Sequence, residues 1–190
     1  FGLERNLTCW HRPDPTYKQL KQLCRERDQL IKERTILKNQ LHAEKSEASP
    51  HTSSIKRIEK RIRLANTQEK QIMEEIRQLV KEKNELKERV SRIITIPGVG
   101  LLTAVSVLAE TNGFEMIRNK KQLVSYAGLD VREKQSGTSI QGIPIITKRG
   151  NKYLRKALHL PALAAIRHEN HYKNVYARLV ARHGIKMKAA

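Results

Sequence analysis

Apolar residues recur on a seven-residue spacing through the first half of the chain. Within 16–44, Leu20, Leu23, Leu30, Leu37 and Leu41 fall on a and d positions, while Arg27 and Arg34 take the remaining a positions. The spacing predicts a long amphipathic helix. "KSEASPHTSS" interrupts it with Pro50 and four serines, and Ser53 or Ser54 is expected to cap a second helix. There the a positions are Ile55, Ile62, Glu69, Ile76, Lys83 and Val90, and the d positions are Ile58, Ala65, Ile72, Leu79, Leu86 and Ile93. Six heptads with two polar a residues predict a coiled coil, continuous for about 60 Å at 1.5 Å per residue. So narrow a stripe suits a spacer or an oligomerisation arm. Pairing within one chain, between chains, or both remains open at this point.

After "TIPGVG" the pattern changes. "GLLTAVSVLAE" predicts an apolar helix starting near Leu101, and "NKKQLVSYAGL" a helix stopped by Gly128. Residues 130–147 are short, β-branched and glycine-punctuated, as in a small loop or β-hairpin. "GNKYLRKALHLPALAAIRHE" predicts a helix with Pro161 inside, and "HYKNVYARLVARHG" a last helix ending at Gly184. The expected fold is therefore mainly α. A long coiled-coil arm precedes a compact helical domain with a helix-hairpin-helix-like element at Gly98 and Gly100.

Charge narrows the function. The 190 residues carry 38 Lys+Arg against 19 Asp+Glu, a net of +19. The second half is acid-poor: only Glu110, Glu115, Asp130, Glu133 and Glu169 lie beyond residue 95. That field suits a polyanionic partner, since each cation meeting a phosphate releases condensed counterions. The bland alternative is a merely basic surface. Two cysteines, Cys9 and Cys24, exclude a cysteine-rich zinc site or a disulfide scaffold and favour a reducing compartment. No apolar run reaches the length of a membrane span.

Three stretches carry candidate chemistry. In "ITIPGVGLLTAV", the amides of Gly98 and Gly100 at a helix start suit a phosphate; a tight turn without ligand is the alternative. In "ITKRGNKYLRK", Lys148, Arg149, Asn151, Lys152, Arg155 and Lys156 surround another helix start and suit a phosphate clamp, or else a solvated charged face. In "REKQSGTSIQG", Ser136 is a turn residue, a phosphate contact or a nucleophile; Lys134, Lys148 and Arg149 are its cationic neighbours in sequence. Serine needs a base, a metal or charge stabilisation to attack, and no histidine lies nearby in the sequence. Ser125 and Ser139 are rivals. The five acids of the second half are scattered, so no metal site is expected in this chain.

Taken together, "IPGVGLLTAVSVLAE", "KQLVSYAGLDVREKQSG" and "ITKRGNKYLRKAL" resemble, in order and spacing across 93–182, the C-terminal domain of the DEDD-type insertion-sequence transposases. That family includes the Piv-like DNA invertases and the bridge-RNA-guided recombinases. "LKQLCRERDQLIKERTILKNQLHA" is similar to the segment that follows the family's catalytic domain. The resemblance implies residues 1–15 as the tail of an upstream RuvC-like domain, 16–95 as the arm and 96–190 as the C-terminal transposase domain, with a fragment at both ends. It also implies that Ser136, in "QSG", is the nucleophile of DNA strand exchange, with Ser125 as runner-up. Mg²⁺ would be held by acids upstream of Phe1. Implied partners are DNA, a guide RNA in some members, and further copies of the chain in a dimer or tetramer, in a bacterial or archaeal cytoplasm at the nucleoid. Asp130 stands where the family usually has proline. The rival reading is a non-catalytic nucleic-acid-binding and oligomerisation module.

Overall fold

The computed structural model describes residues 14–115, 117–132, 135–136, 140–141 and 145–183. Its first helix, α1 (Pro15–Ser46), begins where the sequence dictates. Proline occupies the first helical turn, and the Asp14 carboxylate accepts the Thr16 amide at 2.8 Å. The helix ends before Pro50, and α2 (Thr52–Glu82) follows. The expected serine cap of α2 is corrected. The helix starts at Thr52, which puts both serines inside its first turn; the His51 imidazole accepts the Ser54 amide at 3.3 Å instead.

The two helices form an antiparallel pair. Lys45 meets Glu59 at 2.9 Å beside the connecting loop, Arg27 meets Glu69 at 2.7 Å further along, and Lys83 meets Asp14 at 3.8 Å at the far end. The pairing that the heptads left open is thus made within one chain. Leu20, Leu23, Leu37, Ile58, Ala65, Ile72 and Ile76 fill the seam. The polar a residues answer one another: Arg27 and Arg34 of α1 both pair with Glu69 of α2. A half-buried ion set of this kind fixes register more than it stabilises.

The continuous second helix is also corrected. Lys83 leaves the helical region (φ −111°, ψ 105°), and α3 (Asn84–Ile94) continues beyond it. The reason is geometric. Lys83 lies opposite Asp14 and Thr16, where α1 starts, and its ammonium bonds to the Thr16 hydroxyl. Past that point the apolar stripe has lost its partner, and Leu86 and Val90 turn onto α4 (Leu101–Glu110). One cluster joins Tyr17, Leu20, Ile76, Leu86 and Val90 to Ala104, Val105 and Leu108, so the base of the arm and the start of the second half share a core.

Around α4 pack α5 (Lys120–Ala127), α6 (Lys152–His168) and, against α6, α7 (Asn170–His183). Between α5 and α6 the chain forms a hairpin, as expected for 130–147. β1 (Val131–Arg132) pairs antiparallel with β4 (Ile145–Ile146), and β2 (Gln135–Ser136) with β3 (Ile140–Gln141). Among the described residues no helix is long and apolar enough to cross a membrane.

Candidate nucleic-acid interface

The junction of α5 and α6 is built on a glycine pair. Gly128 ends α5 in the left-handed conformation (φ 66°), and the Gly128 and Leu129 amides donate to the Ser125 and Val124 carbonyls, closing a Schellman motif. Its backbone lies against Gly150. A Cβ at Gly150 would come within 2.3 Å of the Gly128 nitrogen and the Tyr126 carbonyl oxygen. The approach lets the Asn151 amide donate to Tyr126 O at 2.8 Å and the Lys148 amide to Gly128 O at 3.0 Å. Arg155 Nη1 adds bonds to Ala127 O and Gly150 O at 2.7 and 3.0 Å.

Beneath the junction lies Glu110, the last residue of α4, with 3% of its surface exposed. Its carboxylate accepts Arg25 Nε and Nη2 at 2.9 and 3.0 Å and Asn151 Nδ2 at 2.6 Å, with Lys21 Nζ at 3.5 Å. Burial works to raise the Glu110 pKa, but the bonds from Arg25 and Asn151 and the charge of Lys21 outweigh it and hold the carboxyl below its ordinary value. Asn151 does two jobs. Its Oδ1 accepts the Tyr153 and Leu154 amides at 2.9 and 3.1 Å, capping α6. Glu110 therefore ties the arm to both α4 and α6.

Above this layer opens a cleft of about 710 Å³ lined by Arg25, Ser125, Tyr126, Asp130, Arg149, Asn151, Lys152 and Tyr153, among others. Arg25 lies over the Tyr153 ring at 4.4 Å and Lys152 at 5.2 Å from its centre. Such contacts orient a cation without neutralising it. Asp130 accepts the Thr147 hydroxyl at 2.7 Å. Three cations, Ser125 and Thr147, and two tyrosines facing a single cleft suit a phosphodiester, with Asp130 as the one acid of the lining.

The sequence candidates separate in the fold. Ser125, Arg149, Asn151 and Lys152 come together in the cleft. Arg155 lies behind it, bonded to backbone carbonyls, and Lys156 reaches Asp28 of α1 at 2.8 Å. Lys148 is exposed at φ 55°. Gly98 (φ 81°) sits so close to α6 that a Cβ would lie 2.5 Å from Ala164 Cβ, whereas Gly100 faces open space at the start of α4, which no side chain caps. Ser136 has its backbone in β2; its side chain, together with Lys134 and Ser139, lies outside the described residues. Arg25, Lys21, Tyr126, Tyr153 and the hub role of Glu110 were not anticipated. One signal was present: an acid closing the apolar run "AVSVLAE" is buried and demands a partner.

The resemblance implies Mg²⁺. Among the described residues no group of three or more His, Cys, Asp or Glu side chains could hold a metal ion, so these residues do not fit one.

Residues 90–177 match the family described as Transposase IS116/IS110/IS902. The pilin gene-inverting protein of Moraxella bovis is 33% identical over 168 residues, covering 86% of this chain and 49% of that protein. The transposase for insertion sequence element IS1111A of Coxiella burnetii is 40% identical over 81 residues, 43% of this chain and 22% of that protein. An insertion element IS110 protein of Streptomyces coelicolor is 34% identical over 90 residues, 47% of this chain and 22% of that protein. The chain spans about half the length of the pilin gene-inverting relatives. Residues 90–177 thus form a transposase domain of the IS116/IS110/IS902 family, and the likeness to the pilin gene-inverting protein covers most of the rest of the chain.

Proposed function

We propose that the protein carries out DNA transposition or site-specific recombination through a serine nucleophile. The transposase domain over residues 90–177 carries this reading. In the proposed step, Ser136 Oγ forms a bond to a DNA phosphorus and the bond from phosphorus to the 3′ oxygen breaks. The products are a 5′-phosphoserine link and a 3′-hydroxyl. The hydroxyl proton leaves Oγ, and the departing oxygen takes one up. A composite site with RuvC-like acids upstream of Phe1, a guide RNA and a dimer or tetramer belong to the same proposal. Arg25, Arg149 and Lys152 hold the backbone phosphate beside the reacting one, and the uncapped α4 start at Gly100 takes a further phosphate.

A second assignment has one observation in its favour. Ser125 lines the cationic cleft. The test is denaturing electrophoresis of the full-length protein after incubation with labelled DNA. Ser136→Ala is expected to abolish the covalent protein–DNA species, and Ser125→Ala to preserve it. The reverse pattern transfers the role to Ser125. Persistence in both variants rejects both serines as the nucleophile, and absence of any covalent species with the unaltered protein leaves the non-catalytic binding module.

A further inference from the structure

The arm carries a charge pattern that the core heptads do not require. Counting from the buried a positions of α2, its b positions are Lys56, Arg63, Lys70 and Arg77, four cations in four successive heptads. The neighbouring f positions are Lys60, Thr67, Glu74 and Lys81. All eight residues are exposed. The lone acid, Glu74, is paired with Arg77 at 3.3 Å. Lys56, Lys60, Lys70 and Lys81 have no carboxylate within ion-pair distance among the described residues. Of the helix's other acids, Glu59 is engaged by Lys45 and Glu69 by Arg27 and Arg34, while Glu75 and Glu82 are exposed at positions outside the stripe. A shallow concavity of about 410 Å³, lined in part by Arg34, Lys70 and Arg77, interrupts the stripe near its middle.

A face that is merely solvated usually mixes signs, whereas the b positions of α2 are all cationic. From this pattern we infer that the outer face of α2 is a track for the phosphate backbone of a nucleic-acid duplex. Length and composition favour a duplex over a single strand. Lys56 to Lys81 spans about 37 Å at 1.5 Å per residue, close to one duplex turn of about 34–36 Å. The whole of α2 contains no aromatic residue, and single strands are held by stacking bases on aromatics. Its short polar and cationic side chains make contact without reading sequence. The arm is then a binding surface as well as a spacer. This inference is independent of which serine attacks.

The test is the salt dependence of binding, read by fluorescence anisotropy on the full chain with a 30-base-pair DNA duplex of arbitrary sequence, an RNA duplex and a single strand. One variant combines Lys56→Gln, Arg63→Gln, Lys70→Gln and Arg77→Gln. A control removes four exposed charges elsewhere: Lys18→Gln, Lys32→Gln, Lys38→Gln and Lys87→Gln. Each phosphate contact contributes about 0.9 to the slope of log K against log salt. The stripe variant is expected to lower the duplex slope by about 3 to 4, and the control by about 1 or less. A conservative variant, Lys56→Arg with Arg63→Lys, Lys70→Arg and Arg77→Lys, is expected to keep the slope, and far-UV circular dichroism is expected to be unchanged in all three. Comparing the DNA and RNA duplexes identifies which one the stripe holds. Equal loss in stripe and control variants overturns the inference, because the charge would then act diffusely. An equal loss of slope on the single strand also overturns it.

Discussion

Replacing Glu110 tests whether the arm and the α5–α6 junction are held by one carboxylate. Glu110→Ala removes the acceptor of two Arg25 bonds and one Asn151 bond, and leaves Lys21 without its counter-ion. An orphaned buried donor costs about 1–3 kcal/mol, and breaking a fully buried ion pair about 3–5. The Arg25 side chain is 42% exposed, so its guanidinium can turn to water and the ion-pair cost falls below that range. Asn151 Nδ2 has less freedom, because the other end of the amide caps α6. The sum is about 2–4 kcal/mol. For a chain of this size, ~1 kcal/mol moves Tm by about 2–4 °C, so a drop of about 5–15 °C is expected.

The assay is urea and thermal denaturation followed by circular dichroism, run as a double-mutant cycle with Arg25→Ala. Residues in one hydrogen-bonded network couple by about 0.5–3 kcal/mol, whereas independent sites add within about 0.5. Coupling above about 1 kcal/mol is expected. If Glu110→Ala costs less than about 1 kcal/mol, or if the two changes are additive, the hub does not exist as described. Glu110→Gln is the milder case: it keeps one acceptor oxygen and removes the charge, and is expected to retain the Asn151 contact better than the Arg25 pair.

Three further outcomes follow from the geometry. Gly150→Ala places a methyl against the Gly128 nitrogen and the Tyr126 carbonyl, both rigid backbone, so soluble yield or Tm is expected to fall sharply, more than for Gly100→Ala, whose Cβ meets nothing. In the arm, Glu69→Ala leaves Arg27 and Arg34, both on α1, without their shared partner on α2, with Arg27 Nε already buried and unpartnered, and is expected to cost about 2–4 kcal/mol by urea melting. Changing all three residues to leucine is expected to be neutral or to raise Tm. Acid is expected to destabilise the fold in a defined window. Glu110 and Asp14 have folded pKa values below their ordinary ones, so their contribution is complete above about pH 4.5 and is lost as pH falls through the folded values. Glu110→Gln is expected to be less stable at pH 7 and flatter in Tm between pH 5 and 3; an unchanged slope would falsify the assignment to Glu110.

Much of the fold was legible because it rests on periodicity and on glycine. The a and d positions of both arm helices predicted the buried seam, and the same spacing predicted that Arg27, Arg34 and Glu69 stand where apolar residues belong. It could not say that they meet, since that depends on which helix pairs with which and in what direction. The break at Lys83 was invisible for a related reason: the heptad runs unbroken through it, and only the start of α1 at Pro15 ends the partnership. Gly128 was read correctly as a stop, because a left-handed terminus favours glycine. The cleft was only half legible. Arg149, Asn151 and Lys152 are clustered in sequence, but Arg25 lies on α1 over a hundred residues away, and only the packing of α1 on α4 brings it to Tyr153.

The distribution of acids explains why so basic a chain still presents distinct surfaces. A net charge spread evenly would attract any polyanion to any face. Here many carboxylates are held by cations of the chain itself: Glu110 by Arg25, Glu69 by Arg27 and Arg34, Asp28 by Lys156, Glu59 by Lys45. Each pairing removes one cation from the outward field at a fixed place. What remains is patterned, with Arg149 and Lys152 in the cleft and the b-position cations along α2. The cleft lies at the α5–α6 junction beside Arg25 of α1, while the stripe runs along α2. The internal ion pairs therefore do more than tie helices together. By cancelling charge at fixed places, they shape the outward field of the protein surface.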